Sequence, residues 1–251
     1  MKKQSGHTIL YTLGDSHSLW SFAGVAGAKL FWRGPVTMHR VSRDGIKSVM
    51  PQNCRPTKKD ILVLSFGEID CRVHMIKQAV AQGTTTRKQV DLLCDRFALA
   101  VEEFRNQCPA QIAISCILPP ARIGLALGDY PSEEACFDDA KAIRDQINLR
   151  LSKMAPLVDF RAFFTDTDGW LNERVSDGNV HIDSRNVQPV LDALNQLFGT
   201  KFVAAAPVWP NVGKMKHPEY MSPFKRFRRQ LKGILFAHLR KMKSLFFGDA
   251  L

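Results

Sequence analysis

The sequence lacks several features that would place it in a specialised class. Its 6 cysteines include no Cys-x-x-Cys pair and no regular spacing, which argues against a zinc ribbon and a disulfide framework. No run reaches the roughly 18 apolar residues of a membrane span, and the chain has no internal repeat. The N-terminal apolar run breaks at Gly14-Asp15 and is too short for the core of a signal peptide. We therefore expect a cytoplasmic protein with free thiols.

What the sequence has is an average globular composition with an uneven distribution of charge. Hydrophobic residues make up 45% of the 251 residues and charged residues 24%, which is typical of a folded chain of one large domain or two small ones. The formal net charge is +11, but residues 201–251 contain 11 Lys and Arg against two acids and leave only +2 for the first 200 residues. The basic character therefore belongs to a tail.

Alternating apolar patterns predict an α/β fold. Strands are predicted at residues 8–13, 36–41, 61–66, 112–118 and 157–160, and helices at residues 18–31, 87–107, 132–154 and 186–198. Strands that alternate with long helices need crossover connections, so we expect a mostly parallel five-stranded sheet covered on both faces, a three-layer α/β/α sandwich. In such sheets, functional groups lie beyond the carboxyl ends of the strands.

Three segments with polar, chemically capable residues follow predicted strands or precede helices. They read GDSHS at residues 14–18, GEIDCR at residues 67–72 and DGNVHID at residues 177–183. A serine at a helix N-terminus together with a histidine held by a carboxylate is the requirement for nucleophilic catalysis. Taken singly, each segment also has a structural interpretation: a helix cap, an ion pair of Arg72 with Glu68 or Asp70, and a structural histidine.

In order and spacing, these segments resemble the SGNH, or GDSL-like, hydrolase superfamily over roughly residues 8–198. The resemblance implies a flavodoxin-like three-layer fold, no cofactor and no metal, and activity as an esterase, lipase, carbohydrate deacetylase or acyltransferase. It implies that Ser16 is the nucleophile, His181 the general base and Asp177 the acid that orients it. The oxyanion hole would be formed at Ser16, Gly67 and Gly45, the last as the glycine of the second block. Substrate contacts would be made by Asp15, His17, Glu68, Asp70 and Arg72.

Three positions depart from the family pattern. Ile69 stands where the family usually has an asparagine that donates to the oxyanion, and the loss of one such donor costs about 3 kcal/mol of transition-state stabilisation. The acid precedes His181 by four residues instead of three, so Asp183 is a rival for its role. His17 replaces the usual leucine, and GDSH variants of the superfamily often occur in proteins that modify bacterial surface glycans. The expected substrate is accordingly an acyl ester of a glycan or glycan precursor.

Three other functions use the same residues. A protein that keeps the fold but has lost catalysis would act as a binding or scaffold protein. A protein that retains catalysis would act as an acyltransferase at a membrane surface. The motifs D-x-H at residues 15–17, G-x-x-D-x-R at residues 67–72 and G-N-x-H at residues 178–181 are also faintly similar to metallophosphoesterase blocks, in which such side chains hold two metals.

The C-terminal segments differ from residues 1–199, which we predict to form the α/β domain. Residues 200–223 contain Pro207, Pro210, Pro218 and Pro223 and are interpreted as a linker. Residues 224–251 are predicted to form a basic amphipathic helix, since apolar residues recur three or four apart between lysines and arginines. This pattern favours a helix that lies on an anionic membrane, here through residues 224–247 at the inner face, over packing on the protein's own core, an oligomer contact or a nucleic-acid contact.

Overall fold

The computed structural model describes residues 8–123 and 133–206, with residues 208 and 222–224. The chain divides into two compact units, residues 1–216 and 217–251. The predicted tail helix of residues 224–251 lies outside the described residues apart from Phe224. None of the helices in the described part of the chain combines the length and apolar character needed to cross a bilayer.

The centre of the molecule is a five-stranded sheet in which every pairing is parallel and the strand order is β2-β1-β3-β4-β5. The strands are β1 (Leu10–Gly14), β2 (Lys29–Trp32), β3 (Ile61–Ser65), β4 (Gln111–Ser115) and β5 (Leu157–Val158). The chain leaves β1 toward one edge of the sheet and returns to β3 on the other side. The carboxyl ends of β1 and β3 therefore flank the crevice in which folds of this type bind ligands.

Helices cover both faces of the sheet. They are α1 (His17–Trp20), α2 (Met38–Asp44), α3 (Met75–Ala81), α4 (Thr86–Gln107), α5 (Glu133–Met154), α6 (Arg161–Phe164) and α7 (Gln188–Phe198). Alternate residues of β3 point to two separate apolar cores. Leu62 and Leu64 pack with Phe97 of α4 on one face, and Val63 packs with Leu191 of α7 on the other. The predicted three-layer α/β/α architecture is confirmed.

The segment predicted as the second strand, residues 36–41, is instead the start of helix α2. Thr37 caps this helix, because its hydroxyl accepts a hydrogen bond from the Arg40 N–H. The first two N–H groups of the helix, those of Met38 and His39, donate hydrogen bonds to the carboxylate of Asp70. The β-branched residues of this segment favour a strand locally. The N–H groups of the first helical turn, however, find acceptors in the side chains of Thr37 and the distant Asp70.

The strand that does lie at the edge of the sheet falls inside the helix predicted for residues 18–31. Only α1 forms there, since Gly27 adopts a positive φ of 69° and the chain then extends as β2. Strand β2 pairs in register with β1, with Gly14 opposite Trp32. Residues 24–26, in the segment between α1 and β2, pair with residues 203–205.

The turn after β1 is tightly constrained. A Cβ at Gly14 would lie 1.8 Å from the carbonyl oxygen of Ser65, so only glycine allows β1 and β3 to pair at their carboxyl ends. The Asp15 N–H then donates to that same carbonyl at 3.0 Å. The Ser18 hydroxyl donates to the Asp15 carbonyl at 2.7 Å. These bonds fix the path of the chain through Ser16.

Candidate active site

The three polar segments meet at the carboxyl edge of the sheet. Ser16 is the residue before α1, directly beyond β1. Gly67 follows β3 by two residues, and Asp70–His74 then forms a single turn of π-helix. Such turns are rare and recur at functional sites. His181 lies in the loop that precedes α7.

Ser16, His181 and Asp177 form a continuous chain of hydrogen-bonding side chains. The Ser16 Oγ lies 2.8 Å from His181 Nε2, and Asp177 Oδ2 lies 3.2 Å from His181 Nδ1. A proton on Nδ1 is held by the carboxylate, so Nε2 is left as the acceptor for the serine hydroxyl. This arrangement is that of a nucleophile, a general base and an orienting acid.

The local fold of the loop explains how an acid four residues before the histidine can reach it. The Asp177 N–H donates to the His181 carbonyl at 2.9 Å, and Gly178 turns the chain with a φ of 76°. Asp177 Oδ1 accepts the backbone N–H groups of Asn179 and His181. The extra residue is therefore absorbed in a closed turn that directs the carboxylate at Nδ1.

Asp183, the rival for the orienting role, has a different environment. Its carboxylate caps the short 3-10 helix Ser184–Asn186 by accepting the Arg185 N–H. It also forms an ion pair with the Arg185 guanidinium at 2.7 Å. The carboxylate that reaches His181 Nδ1 is that of Asp177.

His181 is buried and stacked, which sets its protonation. Its ring lies parallel to the Trp20 indole, with the centroids 4.7 Å apart. Burial lowers the pKa of His181, nearby His17 lowers it further, and together they outweigh the opposing effect of Asp177. The hydrogen bond to His181 conversely holds the pKa of Asp177 below its usual value despite burial. A neutral imidazole beside an ionised carboxylate is the state that a general base requires.

His17 is a second imidazole in the same site. Its Nε2 lies 3.0 Å from the Val180 carbonyl, its Nδ1 lies 3.4 Å from the Asp15 carboxylate, and its ring centroid lies 4.8 Å from that of His181. Burial acts to lower the pKa of His17, but the nearby carboxylates of Asp15 and Glu68 outweigh it, and the pKa is raised. His17 thus connects helix α1 to the loop that carries His181.

Two backbone N–H groups are available to an oxyanion. Among the described residues, neither the Ser16 N–H nor the Gly67 N–H donates a hydrogen bond to another protein group. Gly67 has a φ of 114°, and a Cβ there would lie 2.8 Å from side-chain atoms of Ile117 and Met38. This conformation requires glycine. Ile69, two residues on, has no side-chain donor to add.

The structure does not bring Gly45 to this site. Gly45 ends α2 and lines a small cavity with Phe104 and Gln107, which belong to the end of α4 that leads into the start of β4. It therefore lies toward the amino edge of the sheet, because the segment before it is a helix and not a strand. The glycine that follows β2 at the carboxyl edge is Gly34, with a φ of 79°.

Glu68 and Arg72, both predicted to contact substrate, are paired with each other. Arg72 donates to Glu68 Oε1 at 2.9 Å through Nε and to Oε2 at 3.3 Å through Nη2. The buried guanidinium of Arg144 approaches the same carboxylate at 3.6 Å. Burial would raise the pKa of Glu68, but the neighbouring His17, Arg144 and Arg72 lower it below its usual value. Glu68 is thus an ionised group among three basic side chains.

Asp70 has a structural partner. Its Oδ2 accepts the Met38 N–H at 2.6 Å and its Oδ1 accepts the His39 N–H at 3.2 Å. Burial nevertheless raises the pKa of Asp70 to about 6. Burial also raises the pKa of the adjacent Cys71 thiol, so this cysteine is neutral.

The donor arrangement of a two-metal site is not found at these positions. Asp70 is engaged by α2, and Asp15 Oδ1 accepts the His17 N–H at 2.9 Å. Within residues 8–123 and 133–206, no group of three or more His, Cys, Asp or Glu side chains is arranged to hold a metal ion.

Two residues of the site were missed by sequence reasoning. Trp20 stacks on the ring of His181, and Arg144 on α5 contacts Glu68. Trp20 lies four residues after Ser16 on α1, so the helical spacing could have indicated it. Arg144 lies in the polar, periodic sequence of α5, where nothing local separates it from a surface residue.

Comparisons with known proteins place the chain among distant structural relatives. No protein-family model matches it, and no curated protein matches it. Among solved structures, it is similar to a GDSL-like lipase from Bacteroides thetaiotaomicron (12% identity, TM-score 0.45, 76% of this chain and 86% of that chain covered). It is similar to a catalytic mutant of Axe2, an acetylxylan esterase from Geobacillus stearothermophilus (15%, 0.48, 80% and 98%), and to the OSK domain of Drosophila Oskar (12%, 0.44, 74% and 86%). Likenesses this distant carry no functional argument, and the function is inferred below from the site itself.

Proposed function

We propose that the protein is a serine esterase or acyl-transfer enzyme in which Ser16 is the nucleophile, His181 the general base and Asp177 the orienting acid. One observation carries the proposal. The chain of hydrogen bonds from Asp177 through His181 to Ser16, at 3.2 and 2.8 Å, lies at the carboxyl edge of the sheet. A buried neutral base within 3 Å of a hydroxyl is the geometry that activates a serine.

Acylation follows from these contacts. Ser16 Oγ attacks the ester carbonyl carbon while His181 Nε2 takes the hydroxyl proton, and Asp177 stabilises the imidazolium that forms. The negative charge that develops on the carbonyl oxygen is stabilised by the N–H groups of Ser16 and Gly67, and Gly34 at the end of β2 is a third candidate. When the intermediate collapses, the bond to the alcohol oxygen breaks, and His181 gives its proton to that oxygen.

Deacylation reverses the roles of the same groups. His181 takes a proton from the incoming water or alcohol, whose oxygen attacks the acyl carbon, and then returns a proton to Ser16 Oγ as the acyl–serine bond breaks. Water gives hydrolysis and an alcohol gives transfer. Both outcomes use the same residues.

The substrate class that we propose is an O-acylated glycan or glycan precursor. The resemblance of the GDSH segment to proteins that modify glycans supports this choice. The Arg72 side chain, 30% exposed while bonded to Glu68, leaves guanidinium donors that could bond to sugar hydroxyls or to a charged substituent. Glu68 itself is occupied by Arg72 and Arg144, so we assign it the role of holding these bases.

A second candidate function is binding without catalysis. It is favoured by Ile69, which stands at the position of the asparagine that donates to the oxyanion in the family the sequence resembles. A site with one donor fewer would have reduced or no activity while keeping the fold.

Labelling with a fluorophosphonate probe distinguishes the two functions. We expect wild-type protein to be labelled and Ser16→Ala and His181→Ala to lose labelling. We expect Asp177→Asn to be labelled at least a hundredfold more slowly, because the wrong histidine tautomer would face the serine. Ser152→Ala is the matched control, since this serine is exposed on α5. Unlabelled wild-type protein that is folded, or labelling that persists in Ser16→Ala, contradicts the esterase proposal.

A further inference from the structure

A cavity of about 520 Å³ lies at the carboxyl ends of β4 and β5, at the same edge of the sheet as Ser16. The segment after β4, residues 117–120, forms one wall, and α5 contributes Lys141, Arg144 and Asn148 to another. Asn148 holds the first wall in place, because its side-chain amide bonds to both the N–H and the carbonyl of Ile117. The cavity is therefore bounded by fixed backbone.

Two residues of the cavity lie against the Gly67–Glu68 segment. Ile117 lines the cavity, and its side chain is one of the two, with that of Met38, that a Cβ at Gly67 would meet at 2.8 Å. Arg144 also lines the cavity, and its guanidinium lies 3.6 Å from Glu68, the residue after Gly67. A substrate whose carbonyl lies at Gly67 would have its next atoms close to this cavity.

The Arg144 guanidinium is buried, and its hydrogen-bonding capacity is only partly used. The side chain is 4% exposed. Nη1 donates to the Ala140 carbonyl at 3.0 Å, the ion pair with Glu68 at 3.6 Å is longer than a hydrogen bond, and Nε has no hydrogen-bond partner. A buried donor without an acceptor destabilises the folded state. Because Arg144 lines the cavity, an anion bound there would meet guanidinium donors that the protein leaves unused.

Among the described residues that line the cavity, three bases, Lys141, Arg144 and Arg161, stand against two acids, Asp145 and Asp159, which leaves an excess of one positive charge. Both acids pair with Arg161, Asp159 at 2.7 Å and Asp145 at 3.5 Å. Glu68 is shared with Arg72, to which it is bound through two hydrogen bonds. Arg144 and the exposed Lys141 remain as the two bases on α5 that face the cavity.

We infer that this cavity is a subsite for an anionic group, a carboxylate or a phosphate, carried by the ester on which Ser16 acts. The inference that the group belongs to an ester rests on the proposed function, whereas the inference that an anion binds does not. Guanidinium and ammonium groups bind both kinds of anion. The anion could belong to the acyl part or to the alcohol part of the ester.

Anion binding is tested in the Ser16→Ala protein, so that catalysis plays no part. The measurement is the rise in Tm produced by inorganic phosphate and by succinate, each against sodium chloride at equal ionic strength. We expect Lys141→Glu to weaken this effect at least tenfold in apparent Kd. Lys153→Glu, the same change at an exposed position on α5 outside the cavity, should leave it unchanged.

Arg144→Met should abolish the effect. If that variant does not fold because Glu68 loses a partner, the comparison of Lys141→Glu with Lys153→Glu decides. No rise in Tm above the chloride control, or equal losses in the two lysine variants, overturns the inference.

The source of the anion is tested with wild-type protein and two pairs of esters. 4-Nitrophenyl hemisuccinate against 4-nitrophenyl acetate places the charge on the acyl part, and 4-acetoxybenzoate against its methyl ester places it on the alcohol part. We expect one pair to show a higher kcat/KM for the charged ester, with the preference lost in Lys141→Glu. If neither pair shows it although the esters are hydrolysed, the subsite is wrong. If no ester is hydrolysed but phosphate binds, the proposed function fails and the anion site stands.

Discussion

Two histidines with ring centroids 4.8 Å apart have pKa values that are shifted in opposite directions. His17 lies against Asp15 and retains its proton more readily than a free imidazole, whereas burial and the proximity of His17 make His181 lose its proton more readily. The charge on one ring therefore keeps the other ring neutral, and His181 is available as a base at a lower pH than an ordinary histidine.

Substitution of His17 should move the pH profile of the enzyme. In His17→Gln, the positive charge that lowers the pKa of His181 is absent, so the acid limb of the kcat/KM profile should shift to higher pH. The glutamine amide can still donate to the Val180 carbonyl, whereas His17→Ala removes that contact as well and should lower kcat about tenfold further. The readout is the initial rate of ester hydrolysis between pH 4 and 9, and an unshifted acid limb in His17→Gln would show that His17 does not act on His181.

Ile69→Asn tests whether the missing oxyanion donor limits the reaction. A donor restored at this position should raise kcat by about tenfold or more, since such donors contribute on the order of 10² to 10³ in related chemistry. The increase should appear in kcat and not in KM, because the oxyanion forms only in the transition state. An Ile69→Val variant serves as control for packing, and equal kcat values for the two variants would mean that residue 69 does not reach the oxyanion.

At the scale of elements, the contact between Asp70 and α2 explains where sequence reasoning succeeds and fails. Helices α4 and α5 and strand β3 follow from their own patterns, because the apolar stripe or the continuous buried run lies within the element. Helix α2 does not, since two of its first N–H groups bond to a carboxylate more than thirty residues away. The edge strand β2 likewise depends on pairing with β1 and was predicted as part of a helix.

The residues of the proposed catalytic site also divide into those that the local sequence identifies and those that only the folded structure brings there. Ser16, His181 and Asp177 could be identified because each lies in a short segment whose residue types and order are informative. The resemblance implies Gly45 as the glycine of the second block, but the residues before it form helix α2, so this glycine does not follow a strand at the carboxyl edge of the sheet. Arg144 could not be identified, because only the packing of α5 on the sheet brings it to Glu68.

The titration of Asp70, which bonds to α2, should make the free energy of unfolding depend on pH. Its pKa is raised to about 6 in the folded protein and is about 3.9 in an unfolded chain, so the folded state binds more protons between these values. The free energy of unfolding should therefore fall as the pH rises through this window, and Asp70→Asn should lack this contribution. Relative to wild type, we expect Asp70→Asn to gain on the order of 2 kcal/mol between pH 4 and pH 7 in urea unfolding.

Asp44→Asn is the matched control at the other end of α2. Its carboxylate pairs with Arg43, which lowers the pKa of Asp44. Asp44→Asn should therefore run nearly parallel to wild type between pH 4 and pH 7 and should gain stability relative to it only as the pH falls below about 4. Parallel profiles for Asp70→Asn and wild type would mean that folding does not raise the pKa of Asp70.

At the scale of the whole molecule, the charge is distributed unevenly between a nearly neutral domain and a basic tail, and we assign the two parts different roles. The first 200 residues carry a net charge of only +2 and contain the proposed catalytic site, whereas residues 201–251 carry +9. A basic, amphipathic tail on a nearly neutral domain would bring an acyl-ester enzyme to a surface without changing its chemistry. We propose that this surface is an anionic membrane.

Deletion of residues 224–251 should therefore abolish membrane binding and preserve fluorophosphonate labelling. The measurement is flotation with vesicles of phosphatidylglycerol and phosphatidylcholine, and with vesicles of phosphatidylcholine alone. Each basic residue near an anionic surface contributes about 1 kcal/mol, so we expect the full chain to float only with the anionic vesicles and to be released by salt. A variant with glutamine at Lys225, Arg226, Arg228 and Arg229 keeps the apolar residues and should bind at least a hundredfold more weakly. Equal flotation of the full and the shortened chain would show that the tail does not bind the membrane, and its apolar residues would then pack within the protein or between its copies.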